Sequence, residues 1–434
     1  MRPFSRQCSK KADTLAIRIT RCWGAVLEAK GWWLVALLCL TQVLGMLSNA
    51  TFPALIPVFQ PLWGLSNTEA GWVSGVYYAG YTAAVPVLVT LTDSADARRI
   101  YLYSCLLGGL AALGFAFFAS GFWSAMVFRF FGGISLAGTY MVGLKLLSDR
   151  LPEENRSRSV AVYTAHFGIG ASLSVLAAGE LEALAGWSWA FGISAVGSFA
   201  ALLLIALLVQ PLARSPGETL PTAVFDFRPV FRNRPALGYT LGYAAHIWEL
   251  FGFRAWLVAF LVFVFAQQPA LAASDWSPTQ VATVLLLLGL PASILGNEIA
   301  TALGRRGVVS LIMLGSGAIA LVLGFIAGAP LWLLAAVLLV YGVLIMADSG
   351  ALTAGAVIAA TPERRGATMA LHALLGFGAG FLSPLAFGVV LDLAGGAGQG
   401  FAWGLAFALL GLGVLTGPLI LAALVPRGQV PPRL

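Results

Sequence analysis

Residues 89–99 read V-T-L-T-D-S-A-D-A-R-R, and residues 296–306 read G-N-E-I-A-T-A-L-G-R-R. The two stretches lie about 207 positions apart, and each places a pair of arginines directly after a long apolar segment. A basic turn that recurs at the same place in two apolar runs predicts that the chain contains a duplicated unit.

Other pairs of sites match at a similar separation. Ser66 with Glu69, and Ser277 with Gln280, each form the pattern of a capping box, in which a serine hydroxyl and an acidic or amide side chain satisfy the first N–H groups of a helix. Both pairs therefore predict the start of equivalent helices. The further matches are Pro152-Glu153 with Pro362-Glu363, Gly168 and Gly170 with Gly376 and Gly378, and Trp189 with Trp403.

Composition places the chain in a membrane. Of its 434 residues, 59% are hydrophobic and 10% are charged, whereas soluble domains have about 45–50% and about 25%. The length allows roughly twelve crossings of about 20 residues each and no sizeable soluble catalytic domain. Apolar windows place the crossings at 33–58, 69–92, 99–119, 122–148, 158–183, 186–209, 236–265, 277–302, 307–327, 330–360, 366–392 and 400–425.

The basic residues indicate the orientation of the chain. All of the 25 lysines and arginines except Arg129, Lys145 and Arg254 lie at the termini or in alternate connectors. Cytoplasmic loops hold the basic residues of membrane proteins, so we expect both termini in the cytoplasm. The net charge of +7 is then a topology signal, and we expect no nucleic-acid partner. We divide the chain into an N-terminal arm (1–32), a six-helix bundle (33–209), an inter-bundle loop (210–235), a second six-helix bundle (236–425) and a tail (426–434).

Motifs for cofactor chemistry are absent from the sequence. The four cysteines, Cys8, Cys22, Cys39 and Cys105, have neither metal-ligand nor redox spacing. No G-x-x-x-x-G-K-[ST] segment occurs, so ATP does not supply the energy, and an ion gradient has to. We also find neither H-E-x-x-H nor G-x-S-x-G. We therefore expect no metal, no cofactor and no enzyme activity.

Topology, duplication and basic turns together resemble the major facilitator superfamily, whose loop motif is approximately G-x-x-x-D-x-x-G-R-[KR]. The first half retains Asp93, Arg98 and Arg99, with Val89 and Asp96 in the glycine places. The second half retains the other elements but has Ala300 in the acidic place; the retained residues are Gly296, Gly304, Arg305 and Arg306. Arg129, followed by Gly132 and Gly133, is similar to the family's R-x-x-x-G motif.

This resemblance implies an all-α fold of two pseudo-symmetric six-helix bundles that moves a small molecule by alternating access. It also implies that the two motif segments form a conformational latch, in which Asp93 acts with Arg98 and Arg99. We expect a monomer in the bacterial inner membrane, driven by a proton or other ion gradient. The overall style of the sequence resembles the branch that contains nitrate/nitrite and cyanate porters. Nitrate porters, however, have an arginine in helix two and another in helix eight, and neither is present here.

Ionisable residues at membrane depth are the candidate site. A charge at the centre of a membrane helix costs about 2.5–3.5 kcal/mol on insertion scales, so each needs a partner or a role. The substrate and proton-coupling candidates are Arg129, His246, Glu249, Arg254 and Asp348. The resemblance implies that Arg129 influences the protonation of a carboxylate, and that Glu249 or Asp348 is the group that carries the proton. In the alternative, the two arginines only pair with the two carboxylates across the bundle.

Several other residues have a predicted structural role. Glycines at 238, 242 and 252 predict that helix seven unwinds locally, and Pro53, Pro57 and Pro61 predict a kink or an end in helix one. Lys145 and Asp149 have the spacing of an ion pair on one helix face. Glu180 and Asp392, at outer helix ends, have no predicted role. The candidate cavity-lining residues are Tyr77, Tyr81, Tyr140, Tyr163, Tyr243 and Trp248.

Three functions remain open from the sequence. We favour proton-coupled movement of a small organic or inorganic anion, because Arg129 and Arg254 suit a negative charge. Proton-driven efflux of amphipathic drugs is the alternative within transport. A membrane sensor derived from a transporter is the alternative from another class, although no additional cytoplasmic domain fits in the chain.

Overall fold

The computed structural model describes residues 31–92, 95–212 and 227–426. Within these ranges, eleven helices are long and apolar enough to cross a membrane, and the shorter apolar helix Gly31–Gly45 precedes them. The twelve predicted crossings are therefore confirmed, and we call them α1 to α12. Their bounds are Gly31–Gly45, Thr51–Ala54 and Ile56–Trp63 for α1, Asn67–Leu91 for α2, Ala97–Phe118 for α3, Phe122–Ser148 for α4, Glu153–Ala185 for α5, Trp187–Leu208 for α6, Arg234–Gln267 for α7, Pro278–Leu287 and Gly289–Leu303 for α8, Arg305–Leu323 for α9, Leu331–Ala347 and Ser349–Ala359 for α10, Arg365–Leu393 for α11 and Gly400–Leu424 for α12.

Three crossings are interrupted. Helix α1 breaks between Gly45 and Thr51, ahead of its prolines, as predicted. Helix α8 breaks at Leu288 and α10 at Asp348. Helix α7 is continuous over 34 residues, so its predicted unwinding is wrong. Its glycines provide room for neighbours instead: a methyl group at Gly252 would overlap side chains of α11 and α12.

Equivalent contacts recur in the two halves of the chain. Both predicted capping boxes are present, at the starts of α2 and α8. At the start of α3, Arg98 donates to the main-chain oxygen of Ala206 at the end of α6, with an N–O distance of 2.7 Å. At the start of α9, Arg306 donates to the main-chain oxygen of Val425 after α12, also at 2.7 Å. A cation at a helix C-terminus is favourable for the helix dipole.

Glycines set the distance between α2 and α4. A methyl group at Gly133 would overlap the main-chain oxygen of Tyr77, and one at Gly80 would overlap the main-chain oxygen of Phe130. The two helices therefore meet backbone to backbone, which only small residues permit. This contact fixes the position of Arg129, one turn from Gly133 on α4.

The two halves are in contact at one end and separated at the other. We call the end with Arg98, Arg306 and the start of α11 the basic end, and the opposite end, where α2 begins and α11 finishes, the distal end. Near the distal end, Gly71 and Gly75 of α2 contact the backbone of α11. Towards the basic end, a cavity of about 220 Å³ separates the same two helices and reaches α4.

We predict that Gly133→Ala lowers stability, because the added methyl group has to push α2 away from α4. Overpacking a tight site costs about 1–3 kcal/mol. Thermal unfolding of the detergent-purified protein measures the effect. Gly168→Ala is the matched control, since no atom lies within 4 Å of its added methyl group. Equal unfolding temperatures for the two variants would contradict the backbone contact.

Candidate functional site

Arg129 forms hydrogen bonds with the main chain of α1. Its side chain is buried on α4, and its two terminal nitrogens donate to the main-chain oxygens of Ser48 at 2.7 Å and Asn49 at 2.9 Å. Both oxygens belong to the interruption of α1. The guanidinium group also lies 4.3 Å from the ring centre of Tyr77, a cation–π contact.

Pro53 explains why one of these two oxygens, that of Asn49, needs a donor. Proline has no N–H group, so the main-chain oxygen of Asn49, four residues earlier, lacks its usual helical partner. A carbonyl left without a donor in hydrocarbon costs several kcal/mol. Arg129 supplies that donor, and the backbone oxygens satisfy its own charge. The alternative in which Arg129 pairs with a carboxylate is therefore wrong.

Glu249 is enclosed by hydroxyl groups. It is buried on α7, where one carboxylate oxygen accepts from Ser316 of α9 at 2.9 Å and the other from Tyr341 of α10 at 3.2 Å. A hydroxyl group can donate or accept. Both the ionised and the protonated carboxyl group can therefore keep their hydrogen bonds in this environment.

A second acidic group lies at the interruption of α10. The Nδ1 atom of His246 is 2.8 Å from an oxygen of Asp348. The ring of Tyr243 stacks on His246, with ring centres 5.7 Å apart, and on His372 of α11, at 3.9 Å. The Nε2 atom of His372 is 3.4 Å from the hydroxyl of Thr353. Polar groups of α7, α10 and α11 thus meet in one cluster.

Within the described ranges, Arg254 has no carboxylate partner. The ion pairs there are Lys145–Asp149 and Arg150–Asp96, and His246 with Asp348 forms a third only when the histidine is protonated. The predicted Lys145–Asp149 pair is confirmed, whereas the alternative in which Arg254 pairs with a carboxylate is wrong. Among the described residues, the hydrogen-bond and ring contacts of its guanidinium group are with soft partners. These are the sulfur of Met346, at 3.6 Å, and the ring of Phe251, at 6.0 Å from its centre.

Arg254 lies where the two halves of the chain meet. Phe251, one turn before it, packs on Tyr78 of α2 with ring centres 4.4 Å apart. Tyr81 of α2 packs on Phe377 of α11 at 4.0 Å. These rings bring α2, α7 and α11 together at the level of the charged residues. The guanidinium group is therefore positioned at the junction between the halves.

The cavity at the basic end is mostly apolar. Tyr81 is the one cavity-lining candidate that borders it, and Lys145 borders it as well. The remaining lining residues of α2, α4 and α11 include Val85, Val89, Met141, Met369 and Leu374, with Phe227 from the connector before α7. Such walls suit an apolar ligand surface.

The other aromatic candidates have different surroundings. Tyr77 borders a small pocket beside Arg129. Tyr163 donates to the main-chain oxygens of Thr139 and Tyr140 within the first half. Trp248 packs on α12, where a methyl group at Gly413 would overlap its indole. Whether these residues contact substrate stays a prediction.

The predicted latch residues join helices of the same half. Arg305 donates to the Asn297 side chain at 2.8 Å and to the main-chain oxygen of Ala351 at 2.9 Å, linking α8, α9 and α10. Gly296 lets α8 approach the backbone of α10 at Ala347, and Gly304 has a φ angle of +102° that favours glycine. Arg99 is exposed at the start of α3. Asp93 lies outside the described residues.

The sequence does not predict the role of several residues at the site. Ser316 and Tyr341 stand out only as polar positions in apolar helices, and their contact with Glu249 depends on how three helices pack. Glu180 and Asp392 contact the opposite half at the distal end. The prediction that these two acids have no role is therefore wrong.

Within the described ranges, no three His, Cys, Asp or Glu side chains are grouped to hold a metal ion.

A family model described as the Major Facilitator Superfamily matches residues 38–374. The chain belongs to this superfamily. Protein spinster homolog 1 of Homo sapiens is 22% identical to this chain over 286 residues. The matched region is 63% of this chain and 54% of the human protein. Puromycin resistance protein pur8 of Streptomyces alboniger is 27% identical over 216 residues, 49% of this chain and 42% of that protein. The chain spans about half the length of these curated relatives.

Solved structures of the superfamily match nearly the whole chain. A bacterial homologue of the human lysosomal transporter spinster, inward-facing and unoccupied, has a TM-score of 0.70 at 16% identity and covers 91% of this chain and 95% of its own. The nucleoside transporter NupG has a TM-score of 0.73 at 13% identity and covers 91% and 100%. At these identities the similarity shows the fold. This protein is a multi-pass membrane protein of the Major Facilitator Superfamily, and its resemblance to nitrate/nitrite and cyanate porters stays a prediction.

We predict that Arg129→Gln lowers the free energy of unfolding by about 2 kcal/mol, because two buried carbonyl groups lose their donor. Pro53→Ala restores an N–H group that can bond the main-chain oxygen of Asn49. The double variant should therefore lose less stability than the sum of the two single losses. A thermal-unfolding double-mutant cycle measures this coupling. Strict additivity would show that Arg129 does not serve the break in α1.

Proposed function

We propose that this protein is a secondary active transporter that moves a small organic anion, coupled to protons, by alternating access. The observation that carries the proposal is Arg254, whose guanidinium group lies at the junction of the two halves and has no carboxylate partner among the described residues. We further propose that the basic end faces the cytoplasm of a bacterial cell, that both termini lie there, and that the protein works as a monomer.

The environment of Arg254 supports an anionic substrate. An arginine at membrane depth is costly unless an anion or other acceptor satisfies it. Arg129 has two main-chain oxygens, whereas Arg254 has a thioether sulfur and an aromatic ring. A bound carboxylate, phosphate or sulfonate would provide the planar or multiple oxygens that a guanidinium group recognises.

The cavity supports a substrate with an apolar body. Its walls are largely aliphatic and aromatic, and its volume of about 220 Å³ lies between the halves of the chain. An inorganic anion would remain hydrated there and would gain little from those walls. Arg254 does not line this cavity. An organic anion would therefore contact the cavity walls with its apolar part first and reach Arg254 once the rings of Tyr81 and Phe377 move apart.

The hydroxyl environment of Glu249 supports proton coupling. A coupling group has to be stable both with and without its proton. Ser316 and Tyr341 can hydrogen-bond either form, whereas a lysine or arginine partner would favour the ionised form alone. His246, one turn before Glu249 on α7, lies 2.8 Å from Asp348 of α10 and provides a second group that can hold a proton.

Proton-driven efflux of amphipathic drugs is the second candidate. The apolar cavity favours it, and so does the similarity to puromycin resistance protein pur8 of Streptomyces alboniger. The two candidates differ in the charge of the substrate. Loss of Arg254 would abolish transport of an anion but would leave the export of a cation intact or stronger.

We predict that Arg254→Gln abolishes binding and transport of the organic anion while leaving the unfolding temperature unchanged or higher. The variant removes the partner of the substrate, but it also removes a charge that lacks a partner in the free protein. The measurements are a thermal-shift screen of organic carboxylates, phosphates and sulfonates, followed by flux into proteoliposomes. Arg254→Lys keeps the charge without the bidentate geometry and should bind at least about tenfold more weakly. Unchanged anion transport by Arg254→Gln would exclude the proposed role.

We predict that Glu249→Gln uncouples transport from the pH gradient. The glutamine side chain keeps hydrogen bonds to Ser316 and Tyr341 but cannot exchange a proton. Exchange between internal and external substrate should continue, whereas accumulation driven by a pH gradient should stop. Proteoliposome flux with and without that gradient separates the two activities. Asp275→Asn, in the exposed connector before α8, is the control, and accumulation by Glu249→Gln at the wild-type level would assign the proton to another group.

A further inference from the structure

Asp392 of α11 closes the distal end by binding the N-terminus of α2. One carboxylate oxygen accepts from the main-chain and side-chain nitrogens of Asn67, at 3.1 and 2.7 Å. The other accepts from the main-chain nitrogen and the hydroxyl of Thr68, at 2.7 and 2.6 Å. We propose that this contact is the distal gate of the transporter, which has to break each time the cavity opens to that side.

The contact completes the hydrogen bonds at the start of α2. The first N–H groups of a helix have no partner within the helix. Ser66 and Glu69 satisfy each other's main-chain N–H groups through the capping box. The two N–H groups between them, of Asn67 and Thr68, bind Asp392. One half of the protein thus supplies the cap of a helix in the other half.

Three glycines place the two helices in backbone contact below this cap. A methyl group at Gly71 would overlap the main-chain oxygen of Pro384, and one at Gly75 would overlap that of Phe381. A methyl group at Gly388 would overlap the main-chain oxygen of Asn67 itself. We call these three glycines and Asp392 the distal seam. Its geometry leaves no space for substrate between α2 and α11.

A weaker contact joins the equivalent pair of helices, α5 and α8. Gln280, in the capping box of α8, donates to Glu180 of α5 at 2.8 Å. Gly179, next to Glu180, lies against Thr279. The α2–α11 and α5–α8 contacts therefore each pair an acid near the end of one helix with the start of another. With its four hydrogen bonds and its glycines, the α2–α11 contact is the stronger of the two.

The chemistry of the distal seam suits a reversible gate. Asp392 is exposed, so water can replace its partners when the helices separate, and the bonds cost little to break. When the helices meet, each oxygen of the Asp392 carboxylate accepts hydrogen bonds from a different residue of α2. The two helices therefore have a defined register in the closed state. This inference rests on the proposed alternating access, but not on the charge of the substrate or on proton coupling.

The experiment measures the separation of the halves directly. Spin labels are attached at Ser120 and Gln399, which are exposed at the distal end on different halves, after the four native cysteines have been replaced. Electron–electron distance measurements in lipid nanodiscs give the ratio of open to closed distal ends. We expect Asp392→Ala to raise this ratio about tenfold, which corresponds to about 1.4 kcal/mol. We expect Gly388→Ala to raise it further, because its added methyl group meets the backbone of α2.

Two matched variants control the measurement. Asp275→Asn removes another exposed carboxylate near the distal end, and Gly378→Ala adds a methyl group on α11 where no atom lies within 4 Å. Neither should change the ratio. Asp392→Asn keeps the shape of the side chain and should give a ratio between those of the wild type and Asp392→Ala. This variant still tests the gate if Asp392→Ala does not fold. If Asp392→Asn and Gly388→Ala both match the controls, the gate is wrong, even if proton-coupled anion transport is established.

Discussion

A main-chain carbonyl group inside a bilayer has no water to accept from, so every interruption of a membrane helix needs a donor from elsewhere in the protein. The interruption of α1 is the clearest case. Arg129 bonds two of its carbonyl groups, and Ser174 of α5 accepts from the N–H of Ala50 and donates to the oxygen of Leu47. Three helices of the first half are thereby held around one defect in the backbone.

This constraint separates the roles of the two halves. The buried arginine of the first half is occupied by the protein's own backbone, whereas the buried ionisable groups of the second half face hydroxyl, imidazole and thioether groups. We propose that groups of the first kind hold the shape of the backbone and that groups of the second kind bind a ligand or a proton. On this proposal the duplicated fold carries an asymmetric site, with its chemistry on α7 and α10.

The sequence predicts the fold well because the relevant signals are local. Crossings, basic turns and capping boxes depend on a few adjacent residues, and they lie where the patterns place them. The predicted unwinding of α7 is wrong for a physical reason: its glycines meet side chains of α11 and α12, and glycine content alone does not distinguish close packing from flexibility. The break in α1, by contrast, is predicted correctly, because Pro53 removes an N–H group there.

The site is predicted only in part. The sequence identifies which buried groups are ionisable, but their partners are distant in the chain: Arg129 and Asn49 lie 80 positions apart, and Glu249 and Ser316 lie 67 apart. Such contacts depend on helix rotation and register, which hydropathy does not determine. The role of Asp392 does not follow from the sequence for the same reason, because the N–H groups that it binds belong to the other half.

The distal seam also constrains the kind of motion that the protein can undergo. Where main chain meets main chain, no layer of flexible side chains can deform by degrees, so α2 and α11 separate as rigid rods or remain together. If α2 and α11 separated only partly, they would lose their backbone contacts before the gap between them was wide enough for water to enter. We expect two well-populated end states with a sharp transition between them, an arrangement that limits the passage of ions through a half-open path.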